Sequence, residues 1–231
     1  MRLRPNSGNA HNQLGVALSR FVEIKAAREE FEKALGLDAN LAEAPVNLSL
    51  VLAQAGEFDP AGEHLDRAIE LQRNNRAAAY THYLRAKVWG TQDQIQKSIA
   101  KLQNAVQLRP DFAEAWSDLG GMRRLALDHV GAVQALERAV AVKPDDALAQ
   151  YRLGQLYLQD GQALKGVQHL KQALSYAPND RATLYNLMLA LRKTGRLEEA
   201  KPIEERMTEL QHQSDRASEV GLTASVLNAK E

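Results

Sequence analysis

The sequence predicts an all-α fold, a solenoid of about six antiparallel helix pairs, and three observations carry that prediction. The first is a register of small residues at Ala27, Ala61, Ser98, Ala132, Gly166 and Ala200. They stand 34 residues apart except for one step of 37, and four places after each come Phe31, Leu65, Leu102, Leu136, Leu170 and Glu204. A period of this length marks stacked supersecondary units, each burying its apolar face only against its neighbours. The second is spacing inside one period: Leu119 and Met122, or Leu136, Ala139 and Val140, recur three and four apart, as on an amphipathic helix. Two helices per unit follow. The third is punctuation by Asp59-Pro60, Pro110-Asp111 and Pro144-Asp145. Aspartate can cap a helix N-terminus, and proline is tolerated in a first turn but stops a helix that precedes it.

Taken in order, the units are 8–41, 42–75, 79–112, 113–146, 147–180 and 181–214. The first carries Leu14, Gly15, Leu18, Ala27, Phe31 and Ala34; the second Leu48, Ser49, Leu52, Gly56, Ala61, Leu65 and Ala68. Residues 76–78 are an insertion before the third, which has Arg85 where the others have leucine but keeps Ala86, Trp89, Ser98, Leu102, Ala105 and Pro110. The fourth holds Trp116, Leu119, Gly120, Ala132, Leu136, Ala139 and Pro144; the fifth Leu153, Gly154, Tyr157, Gly166, Leu170, Ala173 and Pro178. Small residues such as Gly120, Ala132 and Ala139 let helix axes approach closely. The sixth is degenerate, with Met188 for the small residue, Glu204 for the hydrophobe and His212 for the proline.

Three places depart from the pattern. Pro202 falls early in the second helix of the last unit and is expected to kink or delay it, altering the end of the stack. Leu3-Arg4-Pro5-Asn6 echoes Leu108-Arg109-Pro110-Asp111, and Pro5 lies 34 residues before Ala39, so residues 1–7 read as the tail of a preceding repeat, or an N-terminal extension, and the chain as part of a longer repeat protein. Residues 215–231 form a capping helix or a disordered tail; a helix from Ser218 would put Val220, Ala224 and Leu227 on one side.

Composition narrows function further. Lys plus Arg and Asp plus Glu both number 29, which leaves no net pull toward nucleic acid or an anionic membrane. No run of 18 apolar residues is present, and no apolar segment follows the arginines of MRLRPNSGNA, so no membrane span or signal peptide is expected. With no cysteine there are no disulfides, thiolate metal sites or cysteine nucleophiles, and the compartment stays open. The six histidines include no pair spaced three to five apart, so no metal is expected. Acidic pairs such as Glu29-Glu30 and Glu198-Glu199 read as solvated faces, and Gly120-Gly121 and Gly154 as packing positions inside helices. Asn47-Leu48-Ser49 fits a glycosylation acceptor by pattern but sits mid-helix. No catalytic residue and no cofactor are expected.

The separations of Trp116, Leu119-Gly120, Tyr157, Ala132, Leu136 and Pro144 give the chain its resemblance to the tetratricopeptide repeat family, covering residues 8–214. The fourth unit has Arg123 in place of the family's tyrosine and Leu136 in place of its phenylalanine. The resemblance implies a right-handed superhelix whose first helices line a concave groove that binds extended or helical segments of other proteins. It assigns to that groove the fifth and sixth places of each unit: Asn12 and Gln13, Val46 and Asn47, Tyr83 and Leu84, Ser117 and Asp118, Tyr151 and Arg152, Tyr185 and Asn186. Amides can pair with a peptide backbone, and tyrosine offers apolar contact with a hydroxyl handle. The candidate binding residues are therefore Asn12, Asn47, Tyr83, Asp118, Tyr151, Arg152, Gln155, Tyr185 and Asn186. The subtype that clamps a terminal carboxylate is not matched: its basic places hold Val16, Tyr80 and Leu84, with only Asn12 and Asn47 in place. A ladder of asparagines at the sixth place is partial, at Asn47 and Asn186. The expected function is a non-enzymatic interaction scaffold with a protein or peptide partner. Two alternatives stand beside it: an arm that regulates or presents substrate to a larger enzyme, and self-association through an apolar edge at Leu14, Ala17 and Leu18.

Overall fold

The computed structural model describes residues 7–72 and 76–228, with side chains as far as Arg216. Among the described residues the fold is all-α, twelve helices and no strand: α1 (Gly8–Arg20), α2 (Ile24–Leu37), α3 (Glu43–Gln54), α4 (Phe58–Gln72), α5 (Ala78–Thr91), α6 (Ile95–Leu108), α7 (Ala113–Leu125), α8 (His129–Val142), α9 (Ala147–Gln159), α10 (Ala163–Tyr176), α11 (Arg181–Lys193) and α12 (Leu197–Asn228). Among the described residues no helix is long and apolar enough to cross a membrane.

The chain divides within α8 into two compact units, one ending at Ala132 and the other starting at Val133. In the first, α1 packs on α2, α3 on α4 and α5 on α6, and each second helix packs on the next first helix, up to α6 on α7. Its core joins Ala27, Phe31, Leu48, Val51, Leu52, Ala61, Leu65 and Val88. In the second unit α9 packs on α10, α10 on α11 and α11 on α12 around Val167, Leu170, Leu187, Ala190, Leu191 and Ala200.

The repeat register is the core. Ala27, Ala61 and Ala132 are fully buried, as are Leu136 and Leu170, with Ser98, Ala200, Phe31, Leu65 and Leu102 almost so. Glu204, at the degenerate sixth copy, instead stays partly exposed and pairs with Arg192 at 2.8 Å. Small residues are required where helices cross: a Cβ on Gly154 of α9 would stand 2.9 Å from Leu170 Cγ and 3.1 Å from the Gly166 carbonyl of α10. Where leucine is expected, Arg85 is nevertheless largely covered: its Nε donates to Asp66 Oδ2 at 3.0 Å, and its guanidinium lies 3.9 Å from the centre of the Trp89 ring. Stacking and pairing let a cation occupy a core place.

Each pair turns through one left-handed residue, and those residues keep the register: Val22, Gly56, Asp93, Leu127, Gly161 and Gly195, all with φ between 57° and 82°. This conformation closes the same short turn each time, with the next residue bonding back to the first helix, as Glu23 N does to Leu18 O, Glu57 N to Leu52 O and Gln162 N to Tyr157 O.

The caps differ from the sequence expectation in three places. Asp59 does not precede α4 but lies inside its first turn, one residue after the helix starts at Phe58. Asp111 does not cap α7; Phe112 is the N-cap, without a side-chain bond, and Asp111 instead accepts two hydrogen bonds from Arg76 Nη2, at 3.0 and 2.8 Å. It lies too far ahead of the first turn, and the insertion supplies the arginine. At α9 the cap is Asp146, not Asp145, accepting from the amides of Leu148 and Ala149. Asp180 caps α11 in the same manner. Pro202 does not delay α12, which starts five residues earlier at Leu197 and runs through the proline. So near the helix start the ring displaces only one backbone bond, that to the Glu198 carbonyl. The helix runs on to Asn228 without a break at Ser218; the side chains of Val220, Ala224 and Leu227 lie outside the described residues, as does the Leu3-Arg4-Pro5-Asn6 echo.

Candidate functional site

The fifth and sixth places of each repeat sit in the second turn of each first helix, where successive places project onto adjacent parts of one face. At three joints the structure pairs them across repeats, the fifth place of one repeat bonding the sixth of the next, 35 residues on. Asn47 Nδ2 donates to Asn12 Oδ1 at 3.0 Å, and Asn186 Nδ2 to the Tyr151 hydroxyl at 3.3 Å. Tyr83 bonds the Asp118 carboxylate. The recurrence follows from stacking, which sets the equivalent turns of neighbouring first helices side by side; α1 touches α3, and α9 touches α11.

Within the first unit, Asn12 is fully buried, and its Nδ2 has no partner among the described residues. Asn47 is half-buried beside it. Tyr83 packs on Phe112 with ring centres 4.9 Å apart, and Tyr80 lies 6.2 Å from Tyr83 and 6.5 Å from Phe112. Burial, then the Asp118 charge and hydrogen bond, push the Tyr83 hydroxyl well above its ordinary pKa, so it stays a protonated donor. Lys87, 56% exposed, reaches Asp118 at 3.4 Å. Beside these residues, α3, α4 and α5 enclose an apolar pocket of about 110 Å³ that includes Leu50, Leu84 and Val88.

In the second unit the Tyr151 hydroxyl gathers two amides, accepting from Gln155 Nε2 at 2.7 Å as well as from Asn186. Asn186 Nδ2 also donates to the Ala182 carbonyl at 2.8 Å, which fixes its rotamer. Tyr185 is half exposed next to it, and Arg152 is partly buried on the turn of Tyr151. The structure thus brings Tyr151, Gln155 and Asn186 into one cluster with Tyr185 at its edge. It joins Asn12 with Asn47, and Tyr83 with Asp118.

Sequence reasoning passed over the ninth place, one turn further along the same helices, where Leu50 and Lys87 stand at adjacent repeats. The signal was available in the spacing, since Gln155 occupies the same place. Among the described residues no group of three or more histidine, aspartate or glutamate side chains is disposed to hold a metal ion.

Stacked helix pairs with a polar and aromatic face on their first helices define an α-helical repeat protein. The tetratricopeptide repeat family profile matches residues 83–147, 128–166 and 151–208, together more than half of the chain. The chain belongs to the tetratricopeptide repeat family, whose fold generally mediates protein–protein interaction and whose members are generally non-catalytic scaffolds that bind protein or peptide partners. Three solved structures share the fold. PilF of Pseudomonas aeruginosa is 16% identical with a TM-score of 0.76, covering 97% of each chain. MamA of Desulfovibrio magneticus RS-1 is 22% identical at 0.67, covering 75% of this chain and 97% of its own. YrrB, described as a TPR protein with an unusual peptide-binding site, is 21% identical at 0.66, covering 79% of this chain and 92% of its own. No curated protein sequence matches this chain.

Proposed function

We propose that this protein is an interaction scaffold that binds an extended or helical segment of a partner protein on the face of its first helices. The observation that carries the reading is the pairing of fifth and sixth places. Buried or half-buried partners, Asn12 behind Asn47 and Tyr151 behind Asn186, hold polar side chains in fixed orientations at the surface. A side chain whose rotamer is already fixed loses less entropy on binding, so such a face gains affinity by preorganisation. Asn12, being buried, acts on a ligand through Asn47. Tyr151, Gln155, Tyr185, Asn186 and Arg152 supply the contact surface of the second unit; Asn47, Tyr83 and Asp118 supply that of the first. The peptide-binding site in YrrB's description is in keeping with this use of the fold.

The test uses peptides recovered by the full chain from a displayed library of random 12-residue sequences. Replacing Tyr151, Tyr185 and Asn186 together with alanine is expected to weaken binding more than tenfold, each aromatic anchor contributing about 1–2 kcal/mol, while circular dichroism keeps its helical signal. Tyr151→Phe, which keeps the packing, separates loss of contact from loss of structure. Equal affinity of wild type and triple variant refutes the assignment.

A second reading, self-association through the first repeat, is favoured by the 47% exposure of Leu14, with Ala17 exposed on the same helix. A strictly monomeric mass by light scattering at high concentration rejects it.

A further inference from the structure

The pocket between α3, α4 and α5 has the dimensions and the rim of a specificity pocket. Leu50, Ala53, Phe58, Leu65, Leu84 and Val88 line it, and the two hydroxyl residues that border it are turned away: Ser49 Oγ donates to the Val46 carbonyl at 2.6 Å and Thr91 Oγ1 to that of Val88 at 2.7 Å. The interior is therefore apolar although two alcohols stand at its wall. Its mouth lies on the first-helix face, since Leu50 is one turn beyond Asn47, and Lys87 one turn beyond Tyr83.

We propose that this pocket is the anchor site of the bound segment, and that it selects one aliphatic side chain of leucine, isoleucine or methionine size beside an acidic residue. The inference rests on the peptide-binding reading of this face. Size favours an aliphatic anchor over an aromatic one: the pocket holds about 110 Å³, less than the apolar cavity of about 150 Å³ that accepts a benzene ring. An aliphatic side chain entering it displaces water from six apolar residues without stranding a polar group. Charge selects the neighbour. Lys87 at the rim is held to Asp118 by a long contact of 3.4 Å and lies 5.9 Å from the centre of the Tyr83 ring, and Asp118 is bonded by Tyr83 as well. An ammonium group carries three donors, so Lys87 can meet a ligand carboxylate without releasing Asp118.

The experiment selects peptides on the full chain from the same random 12-residue library and measures each against two variants. Recovered peptides are expected to share an aliphatic residue adjacent to aspartate or glutamate. Replacing that aliphatic residue with alanine or phenylalanine should cost about tenfold or more in Kd, and Ala53→Leu, which fills the pocket, should do the same. Lys87→Glu, at an exposed position that leaves folding intact, should weaken binding several-fold, with the difference fading at high salt as exposed charges are screened. If Ala53→Leu loses its helical signal, Lys87→Glu and the peptide replacements decide. Peptides with an aromatic or basic anchor, or peptides whose binding survives both variants, overturn the pocket. In that case the first-helix reading stands only if alanine at Tyr151, Tyr185 and Asn186 still abolishes binding. A selection that retains no peptide overturns both.

Discussion

Val22→Gly should stabilise the first helix pair, and Gly56→Ala should destabilise the second, although neither substitution touches a packed side chain. Val22 has φ 64° and is 70% exposed, so its side chain contributes little packing while its β-branch sits in the left-handed region. That region costs an L residue about 1–2 kcal/mol, whereas glycine's additional freedom in the unfolded chain costs about 0.5–1 kcal/mol. The difference favours glycine by about 0.5–1 kcal/mol, with the higher end expected for a β-branched residue. Gly56 has φ 82°, and a Cβ there meets nothing within 4 Å, so Gly56→Ala isolates the backbone term with the opposite sign. Because stability in stacked repeats is local, the assay is amide hydrogen exchange resolved by helix. A change of 1 kcal/mol alters exchange of opening-limited amides about fivefold, slowing α1 and α2 in Val22→Gly and hastening α3 and α4 in Gly56→Ala. Faster exchange in the first, or no change in the second, would show that the turn residue is chosen by something other than its backbone angle.

Other expectations follow from the core. Burial, reinforced by the Lys101 charge and opposed by Asp66, pushes the His82 pKa down to about 4; the unfolded chain therefore binds more protons between about pH 6.5 and 4, and stability present above that window is lost as pH falls through it, by roughly 3 kcal/mol. Urea titrations at pH 7 and 4.5 should show a smaller acid loss in His82→Leu than in wild type, and equal losses would refute the assignment. Asp66→Ala should cost about 1–2 kcal/mol by removing the charged hydrogen-bond partner of the largely covered Arg85, discounted because Asp66 is 44% exposed, while Arg85→Leu, which restores the apolar register, should be neutral or stabilising; urea midpoints of the two singles and the double variant check this, and an additive cycle would refute it. Gly154→Ala should destabilise by about 1–3 kcal/mol through overpacking against Leu170, outweighing the gain in helix propensity of up to about 1 kcal/mol; an unchanged or raised thermal midpoint would refute the close approach. Arg196 and Lys171 hold the Glu199 carboxylate down at about 2, so its link between α10 and α12 is present at neutral pH and released only as pH falls toward that value; Glu199→Gln should remove this acid dependence from the exchange of α12.

The core was legible because it obeys a single spacing rule. Alanine or another small residue followed four places later by a large hydrophobe places both on the buried stripe of a second helix, and Ala27 with Phe31 or Ala61 with Leu65 needs no knowledge of the neighbour. The left-handed turn was hidden because only Gly56, Gly161 and Gly195 advertise it; Val22, Asp93 and Leu127 adopt the same angle without a compositional cue. Asp111 looked like a cap because its pairing with proline is a local signal, whereas Arg76, which takes its carboxylate, is 35 residues away. Arg85 looked like a lapse for a similar reason. Its burial depends on Asp66 and Trp89, one on a different helix and one a turn away, and no periodicity brings the three together.

The candidate face follows the same division between what a repeat dictates and what it leaves open. The small residues, the following hydrophobes and the left-handed turn recur because each repeat must bury the same surface against the next. The fifth, sixth and ninth places carry less of that load, although Val16 and Leu84 still pack on the core, and there the chain varies: asparagine, valine, tyrosine or serine at the fifth place, an amide, leucine, aspartate or arginine at the sixth, and valine, leucine, lysine, glycine or glutamine at the ninth. Stacking nevertheless couples these variable places, because the fifth of one repeat meets the sixth of the next. A substitution at Asn12 or Tyr151 is therefore felt at Asn47 or Asn186, and under the proposed function the unit of recognition is a pair of residues from adjacent repeats. The proposed binding face thus places its specificity at the joints between repeats, where Tyr83 reaches Asp118 and the pocket beneath Leu50 and Leu84 is lined by two repeats at once.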